Sequence, residues 1–250
     1  MPTILVSGAN KGIGRGFVAK YLSRPQTTVI ATVRNLSSPD AKSLDTLPKA
    51  EGSKLIVVKV EVTSDADAAA AVASLAAHGV SSLDVVIANA GIFKVAAFNK
   101  VAEAKPSDLL EHADVNGAGV IRLFQATWPL LQKATEPKFV VMSSVIASLG
   151  AMEHIPFTCL SYGASKAMAN YIVRRIHFEN EGLIAFPIFP GSVQTDEGNA
   201  AARVFGLPEA YITVEHSVDS MIAKASSIDK ATKAETSGKF LSFDDSPMLW

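Results

Sequence analysis

Cysteine is nearly absent from this 250-residue chain: Cys159 stands alone, so no internal disulfide can form and the composition fits a reducing compartment. Neither sign of charge is in excess. Lysine and arginine number 23 and the acids 24, and a formal net charge of −1 gives no electrostatic footprint for nucleic acid or an anionic membrane. Long hydrophobic runs are missing too. The longest, Leu183 to Phe189, falls far short of the roughly 20 residues a membrane helix needs, so a soluble protein is expected. Only two residues precede the first apolar run, Ile4-Leu5-Val6, which predicts no cleavable leader and, with the lone cysteine, a cytoplasmic location. The histidines, at 78, 112, 154, 177 and 216, are too scattered for a metal site. No repeat, low-complexity tract, charge run or linker divides the chain, so residues 1–250 are read as one domain.

What the sequence does have is alternation. Short β-branched runs alternate with alanine-rich helical stretches, the pattern of an α/β fold with a doubly wound parallel sheet and helices on both faces. Strands are predicted near Thr3–Ser7, Thr28–Val33, Leu55–Val60, Leu83–Ala88, Lys138–Ser143, Ile184–Phe189 and Lys239–Phe243, and helices over about 12–23, 65–78, 106–134, 162–181 and 214–226. Thr63 or Ser64 can cap the second helix, with Asp65 and Asp67 at its positive end, and Pro106 opens the third. Pro187 removes a ladder donor from the sixth strand and predicts a distortion there.

Two stretches carry chemistry. After the first strand comes Ser7-Gly8-Ala9-Asn10-Lys11-Gly12-Ile13-Gly14, then a helical run from Arg15. Glycines 8, 12 and 14 permit a tight turn, let backbone approach a pyrophosphate and aim a helix N-terminus at its charge. Where the second strand ends, an acid would select NAD; Arg34 stands there instead, and with Lys11 it favours the 2′-phosphate of NADP(H). In LSYGASK, residues 160–166, Tyr162 and Lys166 are spaced i, i+4 and share one helical face.

GANKGIG, IANAG, the VN of ADVNGAG, the SS of VVMSSV, YGASK and PGSVQT occur in the order of the short-chain dehydrogenase/reductase family, which the chain resembles from the first strand to the loop after the sixth. The ending GKFLSFDDSPMLW is similar to that of sniffer-type carbonyl reductases, and the stretch from Gln194 to Val218 to that of fungal norsolorinic-acid-ketoreductase-like enzymes. The resemblance implies NADPH-dependent reduction of a ketone or aldehyde, or the reverse oxidation. It implies a tetrad: Tyr162 as general acid, Lys166 holding the ribose hydroxyls and tuning Tyr162, Ser144 bonding the carbonyl oxygen, and Asn116 holding a water where its helix is kinked. Lowering the tyrosine from its ordinary value near 10 would ask Lys166 and the cofactor's charge for about 3–4 kcal/mol.

By the same resemblance the cofactor would meet Gly8, Asn10, Lys11, Gly12, Ile13, Gly14, Arg34, Glu61, Val62, Asn89, Ala90, Gly91, Tyr162, Lys166, Pro190, Gly191, Val193 and Thr195. Glu61 replaces the usual aspartate beside the adenine, and Ala88 the first asparagine of the NNAG pattern. The family's serine lies about thirteen residues before the tyrosine, whereas Ser144 lies eighteen before it. Ser144 is preferred because it ends an apolar strand, with Ser143 and Ser148 as alternatives and an insertion centred on residues 153–157.

The substrate pocket is expected to take His154 and Phe157 from the insertion, and Ser192, Phe205 and Tyr211 from a substrate loop spanning 192–211. Its apolar, aromatic character suits a bulky aromatic or polyketide-like carbonyl better than a sugar. Ser192, standing where tryptophan is common, enlarges the pocket. Family assembly implies a homodimer through helices 106–134 and 162–181. The rival readings are a nonenzymatic NADP(H) sensor or scaffold, and a dehydratase or epimerase using the same tyrosine.

Overall fold

In the computed structural model, which describes residues 1–224 and 227–250, seven parallel strands form one sheet. They are β1 Thr3–Ser7, β2 Thr28–Val33, β3 Lys54–Lys59, β4 Val85–Ala88, β5 Lys138–Met142, β6 Ile184–Phe189 and β7 Leu241–Ser242. Their order is β3-β2-β1-β4-β5-β6-β7, which doubles back between β1 and β4. The helices are α1 Gly12–Leu22, α2 Pro39–Lys42, α3 Asp67–Ser74, α4 Pro106–His112, α5 Gly119–Leu131, α6 Leu160–Glu179, α7 Asp196–Val204 and α8 Val214–Ala223. The helix expected over 214–226 thus ends at Ala223, and positions 225 and 226 of that expectation lie outside the described residues.

Strand alternation divides the core in two. Ile4, Val6, Val29, Ala31, Ile184 and Phe186 pack with Phe17, Tyr21, Val218 and Met221 on one face. Leu5, Ile30, Val86, Phe139 and Ala185 meet Leu75, Leu123, Ala169 and Val173 on the other. Such strands are buried on both faces, and each large side chain withdrawn from water contributes about 1.5–3 kcal/mol.

Pro187 does not distort β6, contrary to expectation: it holds regular register with Val141. The carbonyls of Ala185 and Phe189 accept from Gly238 and Phe243 on the β7 side. Alternation therefore turns the missing donor of Pro187 the same way, where pairing with β7 begins only at Ile188. The N-cap position of α3 is Ala66, not Thr63 or Ser64, but Ser64 accepts from the Asp67 amide at 3.2 Å while its hydroxyl donates to the Asp67 carboxylate, so it holds the turn that leads into the helix. The third predicted helix is broken into α4 and α5 by a π-helical turn, Ala113–Ala118, so the distortion expected at Asn116 is a widened turn.

Candidate active site

The turn between β1 and α1 sits at the topological switch point, where strand order reverses and a crevice opens at the strands' carboxyl ends. Gly8 has φ +64°, and a side chain at Gly14 would overlap the Gly8 carbonyl at 2.3 Å, so both positions require glycine. The Ser7 hydroxyl accepts from the amides of Asn89 and Ala90, each at 3.0 Å. Asn89 returns its side-chain amide to the carbonyls of Ser7 and Gly8. Both amide hydrogens are thereby engaged, so the Asn89 side chain braces the turn through its Nδ2.

The N-terminus of α1 has no side-chain cap and no acid in its first turn. Its free N–H groups suit an anion, the fit a pyrophosphate needs. Arg34 is exposed just beyond β2 and has no ion-pair partner among the described residues. Lys11 is less free: it pairs with Glu197 at 2.5 Å and Asp196 at 3.8 Å, and the hydrogen bond to Glu197 raises its pKa. Glu61 turns its carboxylate back to the Thr63 amide at 3.5 Å, and the Val62 carbonyl accepts from Arg122. Beyond β6, Pro190 accepts from the Ser217 hydroxyl, Gly191 has φ +88°, Val193 bridges to Ile212, and Thr195 caps α7 through the Gly198 amide.

The serine, tyrosine and lysine converge where β5 meets α6. Ser144 caps a short turn through the Ile146 amide at 3.3 Å, and it stands close enough to Tyr162 to lower the phenol's pKa. Ser143 instead donates to Asn170 at 2.6 Å, and Ser148 accepts from the Ala151 amide at 3.1 Å. Of the three serines, Ser144 is the one this geometry brings to Tyr162. Lys166, 6 % exposed, donates to the Met142 carbonyl at 2.7 Å and stands 5.9 Å from the Tyr162 ring centroid. Asn116 clasps Ile92 by both backbone groups, its Oδ1 accepting from the amide at 2.8 Å and its Nδ2 donating to the carbonyl at 3.0 Å. Its Nδ2 also donates to Ser165 at 2.9 Å, which ties the loop after β4 to α6.

The expected depression of Tyr162 is not what the chain itself produces. Burial pushes the phenol up to about 12, outweighing the lowering by Ser144, while burial alone brings Lys166 down to about 8. The ammonium is turned to a backbone carbonyl and is only partly charged above neutrality, so it offsets little of the phenol's desolvation.

Four phenylalanines stand beside this centre, two of which sequence reasoning missed. The Phe93 ring lies on Tyr162 with centroids 4.1 Å apart, Phe98 follows at 4.9 Å from Phe93, Phe205 at 5.8 Å from Phe98, and Phe157 at 4.2 Å from Phe205. Phe93 and Phe98 come from an irregular loop with no periodicity; their nearness to the Asn89-Ala90-Gly91 turn was the only signal. Two other expected pocket residues make no ring contact with this row among the described residues. His154 is exposed on a short turn, and Tyr211 is 72 % exposed. Ser192 is exposed at the base of its segment, where its carbonyl accepts from the Ile212 amide. The segment 192–211 is not simply a loop, since it contains α7. Cys159, just before Tyr162, is buried, and burial raises its thiol to about 11, which disfavours the reactive thiolate.

A cavity of about 450 Å³ between Lys11, Arg15 and residues 194–199 includes none of Ser144, Tyr162 and Lys166. The reacting centre is marked by the chemistry at β5 and α6, not by that hollow. No group of three or more potential metal-binding side chains occurs among the described residues.

A doubly wound parallel sheet with a braced glycine turn at its switch point, and a serine, tyrosine and lysine beyond β5, defines an oxidoreductase of the Rossmann type. The chain belongs to the short chain dehydrogenase family, whose model matches residues 2–203. It is 45% identical over 251 residues to norsolorinic acid ketoreductase nor1 of Dothistroma septosporum, covering 99% of this chain and 91% of that protein. It is 44% identical to norsolorinic acid ketoreductase stcE of Emericella nidulans, covering 96% and 90%. Among solved structures, the NADPH-bound carbonyl reductase from chicken fatty liver superposes with a TM-score of 0.84 at 29% identity, over 100% of this chain and 99% of that one. Carbonyl reductase Sniffer of D. melanogaster shares the fold, with a TM-score of 0.84 at 22% identity over the whole of both chains.

Proposed function

We propose that this protein, as one NADP(H)-binding domain over residues 1–250, uses NADPH to reduce the carbonyl of a bulky aromatic ketone or quinone. The observation that carries the reading is the Tyr162 phenol set beside Ser144 and one helical turn from Lys166, whose Nζ stands 5.9 Å from its ring, with burial keeping that phenol protonated. A protonated phenol is an acid, the form that reduction needs; the reverse oxidation needs its conjugate base and is expected to rise with pH.

When bound, NADPH supplies the hydride. Ser144 orients the substrate oxygen, and Tyr162 gives that oxygen its proton as charge develops. Lys166 keeps two N–H donors beyond the one on Met142, enough to hold a pair of ribose hydroxyls. Gly91 fits closely here, since a side chain there would lie 2.9 Å from Asn116 Oδ1 and 3.4 Å from Lys166 Nζ. Arg34, free of acidic partners among the described residues, is the stronger reader of a 2′-phosphate, because Lys11 must first leave Glu197. The named activities of the fungal relatives and the NADPH of the chicken enzyme support the same reading.

The test is NADPH consumption with aromatic ketones and quinones, beside short aliphatic aldehydes and sugars, in wild type and Tyr162→Phe. Wild type should prefer the aromatic carbonyls, and the variant should lose turnover by at least about a hundredfold while still binding NADPH. Near-normal turnover in the variant would remove Tyr162 from the mechanism, and a preference for sugars would overturn the substrate class. A dehydratase or epimerase would show no net NADPH consumption.

A further inference from the structure

Four separate segments each deliver a phenylalanine or the tyrosine itself to one continuous row. Phe93 and Phe98 come from the loop after β4, Phe205 from the residue after α7, Phe157 from the insertion before α6, and Tyr162 from α6. Within that row the contacts differ in kind. Phe93 on Tyr162, Phe98 on Phe93 and Phe157 on Phe205 are tilted by 35–41°. Phe98 and Phe205 are the near-parallel pair, 12° apart with centroids separated by 5.8 Å. None of the four phenylalanines is fully buried, so they are not core side chains.

Phe98 and Phe205 also sit on segments that no sheet ladder ties together, the one before α4 and the other after α7. Two parallel aromatic faces on separate supports can part along their common normal without breaking a backbone hydrogen bond between strands. The space so opened is flat and bounded by π faces, and it runs towards Tyr162 with Phe93 as its inner wall. Neither wall carries a hydrogen-bonding group. The polar atoms at its inner end are the hydroxyls of Tyr162 and Ser144, which meet the needs of one carbonyl oxygen and no more.

Resting on the reductase reading above, we infer that Phe98 and Phe205 form a clamp that admits a planar aromatic ring between them, exchanging their mutual stacking for two ring contacts, and so select aromatic ketones over saturated ones. Phe93 is the positioning residue that holds the Tyr162 ring in place beneath the entering carbonyl. Selection comes from flatness and π character as well as apolar area, because an aromatic pair gains beyond what its buried area supplies.

A matched pair of bicyclic probes separates these contributions. 2-Tetralone and 2-decalone share a carbon skeleton, and only the first has an aromatic ring. Calorimetric titration of the NADPH-loaded Tyr162→Phe protein reads binding without turnover, and steady-state kinetics of the Tyr162 protein reads KM and kcat. Wild-type walls should favour 2-tetralone by about threefold to tenfold. Phe98→Leu and Phe205→Leu, which keep apolar bulk and remove the π face, should each abolish most of that preference, the loss falling on the affinity and KM for 2-tetralone rather than for 2-decalone. The double variant should lose little more than either single one, since a clamp needs both jaws. Equal affinity of the wild-type walls for the two probes, or equal losses for both in the leucine variants, would overturn the clamp. Selective binding without reduction of either probe would support the clamp and overturn the reductase reading instead.

Discussion

At the scale of single residues, Lys166 shows what the site costs. Burial takes its pKa from the ordinary 10.5 to about 8, so between those values the folded protein binds fewer protons than the unfolded chain. Stability contributed by this position therefore rises with pH from about 8 to 10.5, and below pH 8 the buried charge is a standing penalty. Lys166→Met should raise stability at pH 7 by at most about 3 kcal/mol, less about 1 kcal/mol for the lost bond to Met142, while abolishing turnover. Denaturant unfolding at pH 7 and again near pH 10 checks this: the gain should shrink at the higher pH, and an unchanged midpoint at pH 7 would contradict it. Arg34 has the opposite character, an exposed cation with no ion-pair partner among the described residues. Arg34→Asp should weaken NADPH binding at least about tenfold more than NADH binding in a fluorescence titration, because it sets a repulsion against a doubly charged phosphate. Equal losses for the two cofactors would mean that Arg34 does not read that phosphate. The Tyr162–Lys166 pairing and the order of motifs were legible in the sequence, because i, i+4 spacing fixes a shared face. The direction of the tyrosine's shift was not, since it depends on how much protein surrounds the phenol and on which acceptor the ammonium chooses.

At the scale of elements, the strands were legible to within a residue or two, because their apolar runs fill both faces of a buried sheet. Two helices were not read. Helix α2 spans only Pro39–Lys42, too short for any periodicity. Helix α7 carries a visible cap, Thr195, followed by Asp196 and Glu197, but it spans only nine residues, is polar on average and offers mostly alanine as apolar side chains. Its residues Ala201 and Ala202 are nonetheless buried, so packing supports it more than propensity does. The choice among serines follows from strand parity. Val141 packs on the side where α6 lies, and Ser143 shares that side and reaches Asn170 of α6. Ser144, one residue on, is released from the strand into the turn that faces Tyr162. The aromatic row was only half legible, since Phe93 and Phe98 sit on irregular backbone, where sequence spacing carries no directional information.

At the scale of the whole molecule, α4, α5 and α6 leave Leu110, Ile121, Met168, Tyr171 and Phe178 exposed. We propose that these side chains belong to the face of a homodimer formed through these helices. Light scattering at micromolar concentration should give twice the chain mass, and Tyr171→Asp with Phe178→Asp should return it to the monomer; a monomeric wild type would rule the dimer out. The strand order has a consequence for how the chain is made. β1 emerges first, yet it ends between β2 and β4, so during synthesis the sheet grows outward to β3 on one side and only then begins on the other. Ser144, Tyr162 and Lys166 all follow β5, whereas the braced glycine turn is complete once Asn89 and Ala90 have been added. A nascent chain can therefore hold a finished phosphate cradle beside an unpaired β4 edge, Val85–Ala88, until Lys138–Met142 arrives to cover it. That apolar edge is open to mispairing until β5 covers it, so chains that stop short of β5 should aggregate more readily than the full chain.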